Sequence, residues 1–136
     1  MSRSGYSDDY DGDNPFYLIY PSIVERSIKG KRGQTFLKEL AKELDAMPEK
    51  RLIAHELIKE NECCTIGVIC KARGIDVSGV DVEDAHAVGN LVGISSSMAR
   101  EIEYENDQGF NFYNSNKETP ENRWLRMRKW VAEQLK

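Results

Sequence analysis

Long apolar runs are missing from this 136-residue chain. Nothing approaches the ~20 apolar residues that a membrane span needs, and the N-terminus has no apolar signal core. The expectation is a protein that stays in the cytosol of the cell that makes it. Cysteine is scarce: Cys63, Cys64 and Cys70 are the three. An odd, clustered set without an export signal reads as reduced thiols, not as a disulfide framework. A Cys-Cys pair is not the Cys-x-x-Cys knuckle of a zinc site, and Cys64 and Cys70 would lie roughly 240° apart around a helix. Small core hydrophobes are the expected role. Histidine is limited to His55 and His86, and His86 sits among acids, where solvation is its bland reading. Phosphate-loop, dinucleotide, nucleophile-elbow and His-Glu-x-x-His patterns do not occur. The pair Asp8-Asp9 has no scaffold to position it. Enzyme is therefore the weakest class, and no catalytic residue, metal ligand or cofactor is expected.

What the chain does have is uneven charge. Its formal net charge is −4, but the sign changes along the sequence. Residues 1–14 set Arg3 against Asp8, Asp9, Asp11 and Asp13. Between 81 and 107, Asp81, Glu83, Asp84, Glu101, Glu103, Glu105 and Asp107 face Arg100 alone. Arg26, Lys29, Lys31 and Arg32 make a basic turn, and Arg123, Arg126, Arg128, Lys129 and Lys136 make a basic C-terminus. The surface is polarised rather than evenly acidic.

The length suits one domain with a single core. The fold class expected is mainly α: a compact single domain of five or six short helices with a helix-turn-helix-like corner and a short β-hairpin as a competing element. Residues 1–14 read as a disordered acidic N-terminal tail, and 15–136 as the helical domain. Pro21 interrupts Phe16–Tyr20, and a helix restarts with Pro21 in its first turn, ending at Gly30. Gln34–Met47 carries Phe36, Leu37, Leu40, Ala41, Leu44 and Met47 on one stripe, started by Gly33 and stopped by Pro48, with Glu39–Lys42 and Lys42–Asp45 as surface pairs. Residues 51–73 are ambiguous. The β-branched residues Thr65, Ile66, Val68 and Ile69 favour strand, while Lys71, Arg73 and Gly74 suit a helix end. A buried helix over 64–73 is preferred to a hairpin. Asp81 or Val82 begins the next helix, and Ser96–Asn106 forms another, capped by Ser95. The connection 107–117 carries Phe110, Phe112 and Tyr113, expected to tuck onto the core. Thr119 caps a last helix with Pro120 at its first position, running to about Gln134.

The stretch Val88–Ile102 scans as a helix-turn-helix, with Gly93 at the turn and Ile94 pinning the two helices. It has three readings. As a structural corner, Val88, Val92, Ile94, Ala99 and Ile102 lock two helices together. As a protein-binding face, Arg100, Glu101 and Glu105 meet a basic partner. As a DNA reader, Ser96, Ser97 and Arg100 face the groove, but a phosphate backbone repels their acidic neighbours. The charge count ranks the corner first, protein second and DNA last. On the last helix Trp124, Met127, Val131 and Leu135 read as core. Trp130 falls at the stripe's edge near Arg123 and Arg126, a composition enriched at binding hot spots. A Trp sheltering under Arg stems is the bland alternative. Gly30-Lys-Arg-Gly-Gln34 offers Lys31, Arg32 and helix N–H groups to an anion, against the plainer reading of a helix connection.

Several blocks carry a resemblance: Met1-Ser-Arg-Ser-Gly-Tyr-Ser-Asp-Asp9, Gly30-Lys-Arg-Gly-Gln-Thr-Phe-Leu37, Leu44-Asp-Ala-Met-Pro-Glu-Lys-Arg-Leu-Ile53, Glu118-Thr-Pro-Glu-Asn-Arg-Trp124 and Met127-Arg-Lys-Trp-Val131, with Cys64-Thr-Ile-Gly67 and Glu103-Tyr-Glu-Asn-Asp107. Together they resemble a family of small uncharacterised proteins encoded by tailed bacteriophages and prophages. The resemblance implies a phage product in the bacterial host cytoplasm and supplies no catalytic residues. The function expected is non-enzymatic: binding of a host protein or protein complex, inhibiting a bacterial defence system such as CRISPR or redirecting host machinery. A helix-turn-helix-like DNA-binding regulator and a small structural or assembly protein are the alternatives. The binding residues expected are Trp130, Arg123, Arg126, Arg100, Glu101 and Glu105.

Overall fold

Six helices and one antiparallel hairpin make up the described part of the computed structural model, residues 16–108 and 118–136. The expected N-terminal tail, 1–14, and Phe110, Phe112 and Tyr113 lie outside the described residues. In chain order the elements are α1 (Phe16–Lys29), α2 (Lys31–Ala46), β1 (Ile58–Lys59), β2 (Glu62–Cys63), α3 (Thr65–Arg73), α4 (Ala85–Val92), α5 (Ser96–Gln108) and α6 (Pro120–Gln134). The mainly α fold with a helix-turn-helix-like corner is what the periodicity predicts.

Helix α1 begins before Pro21 rather than at it, so the expected restart is corrected. A proline at the sixth helical position removes a single hydrogen bond near the end, and the apolar run 16–20 continues as helix. Helix α2 also begins early. Gly30 is its N-cap, and Gly33 lies inside its first turn. The reason is steric: a Cβ on Gly33 would stand 2.0 Å from the Ser27 carbonyl oxygen of α1. Gly33 thus permits the close approach of two helices instead of starting one. The stripe of Phe36, Leu37, Leu40, Ala41 and Leu44 is buried, and Met47, extended before Pro48, ends the helix. The intrahelical pairs expected on α2 give way to tertiary ones: Glu39 binds Arg73 of α3 and Asp45 binds Arg128 of α6.

Residues 51–73 contain both competing elements. Ile58 pairs with Cys63 and Lys59 with Glu62 in a minimal hairpin, and α3 follows at once. Six consecutive residues of α3, Thr65–Cys70, are buried. A helix enclosed on all sides has no apolar period, which is why strand and helix looked alike. Gly74 closes α3 in the left-handed conformation, φ 68°. Helix α4 starts at Ala85, later than Asp81, because the Asp84 carboxylate accepts from the N–H groups of His86 and Ala87. Gly93 makes the turn at φ 81°, Ile94 is buried, and Ser95 Oγ accepts from Met98 N–H to cap α5. Thr119 and Pro120 begin α6 as expected, with Thr119 Oγ1 accepting from Asn122 N–H.

Helix α3 sits at the centre, against α2 on one side and α4 and α5 on the other; α6 closes over α2 and α5, and α1 bridges α2 and α5. Leu37, Leu40, Leu44, Ile66, Ile69, Val88, Met98, Ile102, Met127 and Val131 fill one continuous core. Burying each such side chain contributes roughly 1.5–3 kcal/mol before entropy is counted. Among the described residues, no helix is long and apolar enough to cross a membrane.

Candidate protein-binding groove

The C-terminal end of α5 leaves carbonyls that its own helix cannot satisfy, and α6 supplies the donors. Arg123 Nε donates to Asn106 O at 3.1 Å and Nη1 to Leu52 O at 3.2 Å. Arg126 donates to the carbonyls of Glu105 and Asn106. Glu118, whose side chain is 2% exposed, neutralises both guanidinium groups at 3.4 and 2.7 Å. Asn106 completes the joint: its Oδ1 accepts from Thr65 N and Oγ1, and its Nδ2 donates to Ile53 O. Arg123 is 7% exposed. The expectation that Arg123 and Arg126 form a surface hot spot with Trp130 is therefore corrected. They clamp a helix end, where cations complement the dipole. Glu118 and Asn106 were not singled out from sequence; the i, i+3 repeat of arginines after a capped helix start was the available signal for Glu118.

Trp130 lies on the other flank of α6. It is half-buried against the core, and it lines a groove of about 390 Å³ between α1, α5 and α6. Pro21, Val24 and Ile28 of α1 contribute apolar lining. Glu25, Glu101, Glu105 and Glu133 line it as well, against Lys29 alone. Lys29 Nζ holds Glu25 Oε1 at 2.9 Å, which keeps the Glu25 carboxyl below the usual carboxylate range. Three of the expected binding residues, Trp130, Glu101 and Glu105, thus converge from two helices, with Glu101 buried in the groove's wall rather than exposed. Arg100, half-buried on α5, does not line it. An aromatic face ringed by carboxylates takes an ammonium or guanidinium group, by charge and by cation–π attraction.

The corner α4–α5 offers a different environment. Ser96, Ser97 and Arg100 are each half-buried. Glu103, one turn beyond, has its carboxyl pushed up to about 7 by burial first and then by Asp107, Glu83 and Asp81. A field that helps hold a proton on a carboxyl also repels phosphate.

The basic turn is explained largely by packing. Gln34, buried and overlooked in the sequence reading, donates Nε2 to Ile28 O at 2.9 Å and Gln134 O at 3.0 Å, and accepts from Lys136 N–H. It ties the ends of α1 and α6 to α2; its position on the 34-37-41-44 stripe was the signal. Lys31 and Arg32 remain exposed beside it.

Two further cavities are less selective. One, about 550 Å³, lies between the end of α2, the hairpin turn and α3. Its cations are already engaged, Arg51 by Glu62 and Glu121 and Lys71 by the Asn61 carbonyl. A small one, about 20 Å³, has His55, Cys64, Glu103 and Asp107 in its wall. His55 there adopts φ 69°, held by its N–H to Asp107 Oδ1 at 3.1 Å. Burial disfavours the thiolate form of all three cysteines. Burial pushes Cys64 up to about 12 and Cys70 to about 11, raises Cys63, and Cys64 Sγ serves as N-cap of α3. Among the described residues, no group of three His, Cys, Asp or Glu side chains is placed to hold a metal.

No family model matches this chain, and neither a curated protein nor a solved structure does.

Proposed function

We propose that this chain is a non-enzymatic, phage-encoded binding protein that takes a basic segment of a host protein into the α1/α5/α6 groove. The observation that carries the reading is the convergence of Trp130 with Glu25, Glu105 and Glu133 around an apolar floor. A lysine or arginine side chain of the partner stacks on the indole while the carboxylates set its register. The resemblance to phage proteins supports a bacterial host as the source of that partner, and blunting a defence system or redirecting host machinery as the outcome.

The test is capture from bacterial lysate with the wild-type chain and a Trp130→Ala/Glu133→Lys variant in parallel, the eluates compared by mass spectrometry. Both substitutions are at positions outside the fully buried core, so the variant should keep its helical circular dichroism. The expected result is a protein with a Lys/Arg-rich surface retained by the wild type and depleted at least tenfold by the variant. An identical set of captured proteins, or none, overturns the groove as the binding site.

A further inference from the structure

Helices α1 and α6 each pack on α2 and on α5, and little on each other. The gap left between them is the groove that holds Trp130. Their C-terminal ends converge at one end of it, where Gln34 Nε2 donates to Ile28 O of α1 and to Gln134 O of α6. Along α1 the lining positions are Pro21, Val24, Glu25, Ile28 and Lys29. That three- and four-residue spacing covers about 12 Å at the helical rise, or roughly two turns. Exposed acids stand on both flanking helices, Glu25 on α1 and Glu133 on α6, and α5 contributes Glu101 and Glu105. Lys29 is tied to Glu25 as an exposed pair, and such pairs hold weakly enough to exchange partners. Lys129, one turn before Glu133, lies outside the lining.

We infer that the occupant of this groove is an amphipathic basic helix of the partner, with an apolar ridge seated on Val24 and Ile28 and lysine or arginine on both of its flanks, one of them over the Trp130 indole. The inference rests on the groove being the binding site and names what it takes. The conformation follows from the walls. All three are helices, whose interior backbone groups are already bonded within the helix. An extended segment draws its affinity from pairing with a sheet edge, and the hairpin Ile58–Cys63 does not line the groove. A helix arrives with its own backbone bonded, and its side-chain ridge packs between α1 and α6 as one more helix of the bundle. Two turns of such a helix, with apolar residues at i, i+3 or i+4 and i+7, match the two turns of α1 along the groove. The charge pattern follows from the rims. Carboxylates on both α1 and α6 favour cations on both sides of the apolar ridge. The same acids repel a phosphate-bearing partner.

The probe is a fluorescein-labelled peptide of about 14 residues, built of Leu, Ala and Lys with leucines at helical spacing and lysines on both flanks. It is titrated by anisotropy with the full chain. Its match has the same composition and order but D residues at two central positions, which oppose a right-handed helix. The all-L peptide should bind at least about tenfold tighter than its match. Trp130→Ala should weaken the all-L peptide by about tenfold, and so should Glu25→Gln/Glu133→Gln, which changes exposed rim positions alone. The Glu49→Gln/Glu56→Gln control makes the same charge change away from the groove and should stay within about threefold. Equal affinity for the two peptides, lost for both in Trp130→Ala, overturns the helix and leaves the groove as the site. Indifference to Trp130→Ala, equal losses in the two double variants, or no binding of either peptide overturns the inference and the groove together.

Discussion

Replacing Arg123 by methionine separates a structural arginine from a hot-spot arginine. Methionine keeps much of the aliphatic stem and removes the guanidinium. Leu52 O then loses its donor, Asn106 O keeps Arg126 alone, and Glu118 keeps one of two cations. An orphaned buried carbonyl costs about 1–3 kcal/mol. Breaking a buried ion pair outright costs about 3–5 kcal/mol. Because Arg126 still neutralises Glu118, the total should fall between these limits, at roughly 2–4 kcal/mol. With a urea slope near 1.5 kcal/mol/M, the unfolding midpoint drops by about 1.3–2.7 M. The assay is urea denaturation followed by circular dichroism at 222 nm, about the helical band. A midpoint shift below about 0.5 M at unchanged slope, accompanied by loss of captured partner, would refute the clamp and return Arg123 to the binding surface.

Glu103 should give the chain a pH dependence of stability. Burial and neighbouring carboxylates push its carboxyl up to about 7 in the folded chain, above the ordinary glutamate value of 4.5, so folding takes up a proton between these values. The stabilisation is complete below the lower value and is lost as pH rises through the upper one. Glu103→Gln should remove that slope and be the more stable form at pH 8 by about 1–2 kcal/mol, after allowing for solvent screening at a half-buried site. Urea midpoints of the two proteins at pH 5 and 8 check it, and parallel profiles would count against it. In the hairpin, Glu60 sits at φ 58° in the first position of the two-residue turn. Glycine is the residue suited to that geometry, so Glu60→Gly should raise stability by about 0.5–1 kcal/mol. A lower melting temperature in calorimetry would contradict it.

Local signals in the sequence were reliable where one residue acts on its neighbours. The Thr119-Pro120 start, the left-handed Gly74 and Gly93, and the Ser95 cap all depend on hydrogen bonds within a turn. Legibility failed where a partner comes from far along the chain. Gly33 looked like a helix start because its use is the approach of α1's carbonyls. Helix α3 was favoured over a strand by its end signals alone, because burial on every side erases periodicity. Glu39 and Asp45 seemed to belong to Lys42, but guanidinium groups on other helices offer forked, better-aligned partners than an adjacent lysine.

The same division runs through the candidate sites. Sequence by itself determined a mainly helical chain, its caps and turns, and the segregation of acids and bases, because these follow from short-range geometry and composition. It also marked Trp130, Glu101 and Glu105 as residues worth watching. Tertiary structure alone decided that they share a groove and that Arg123 is buried at a helix end. The physical reason is that a side chain's role depends on which helix faces it. For an arginine or lysine, that face decides whether its charge is consumed inside the fold or left for a partner.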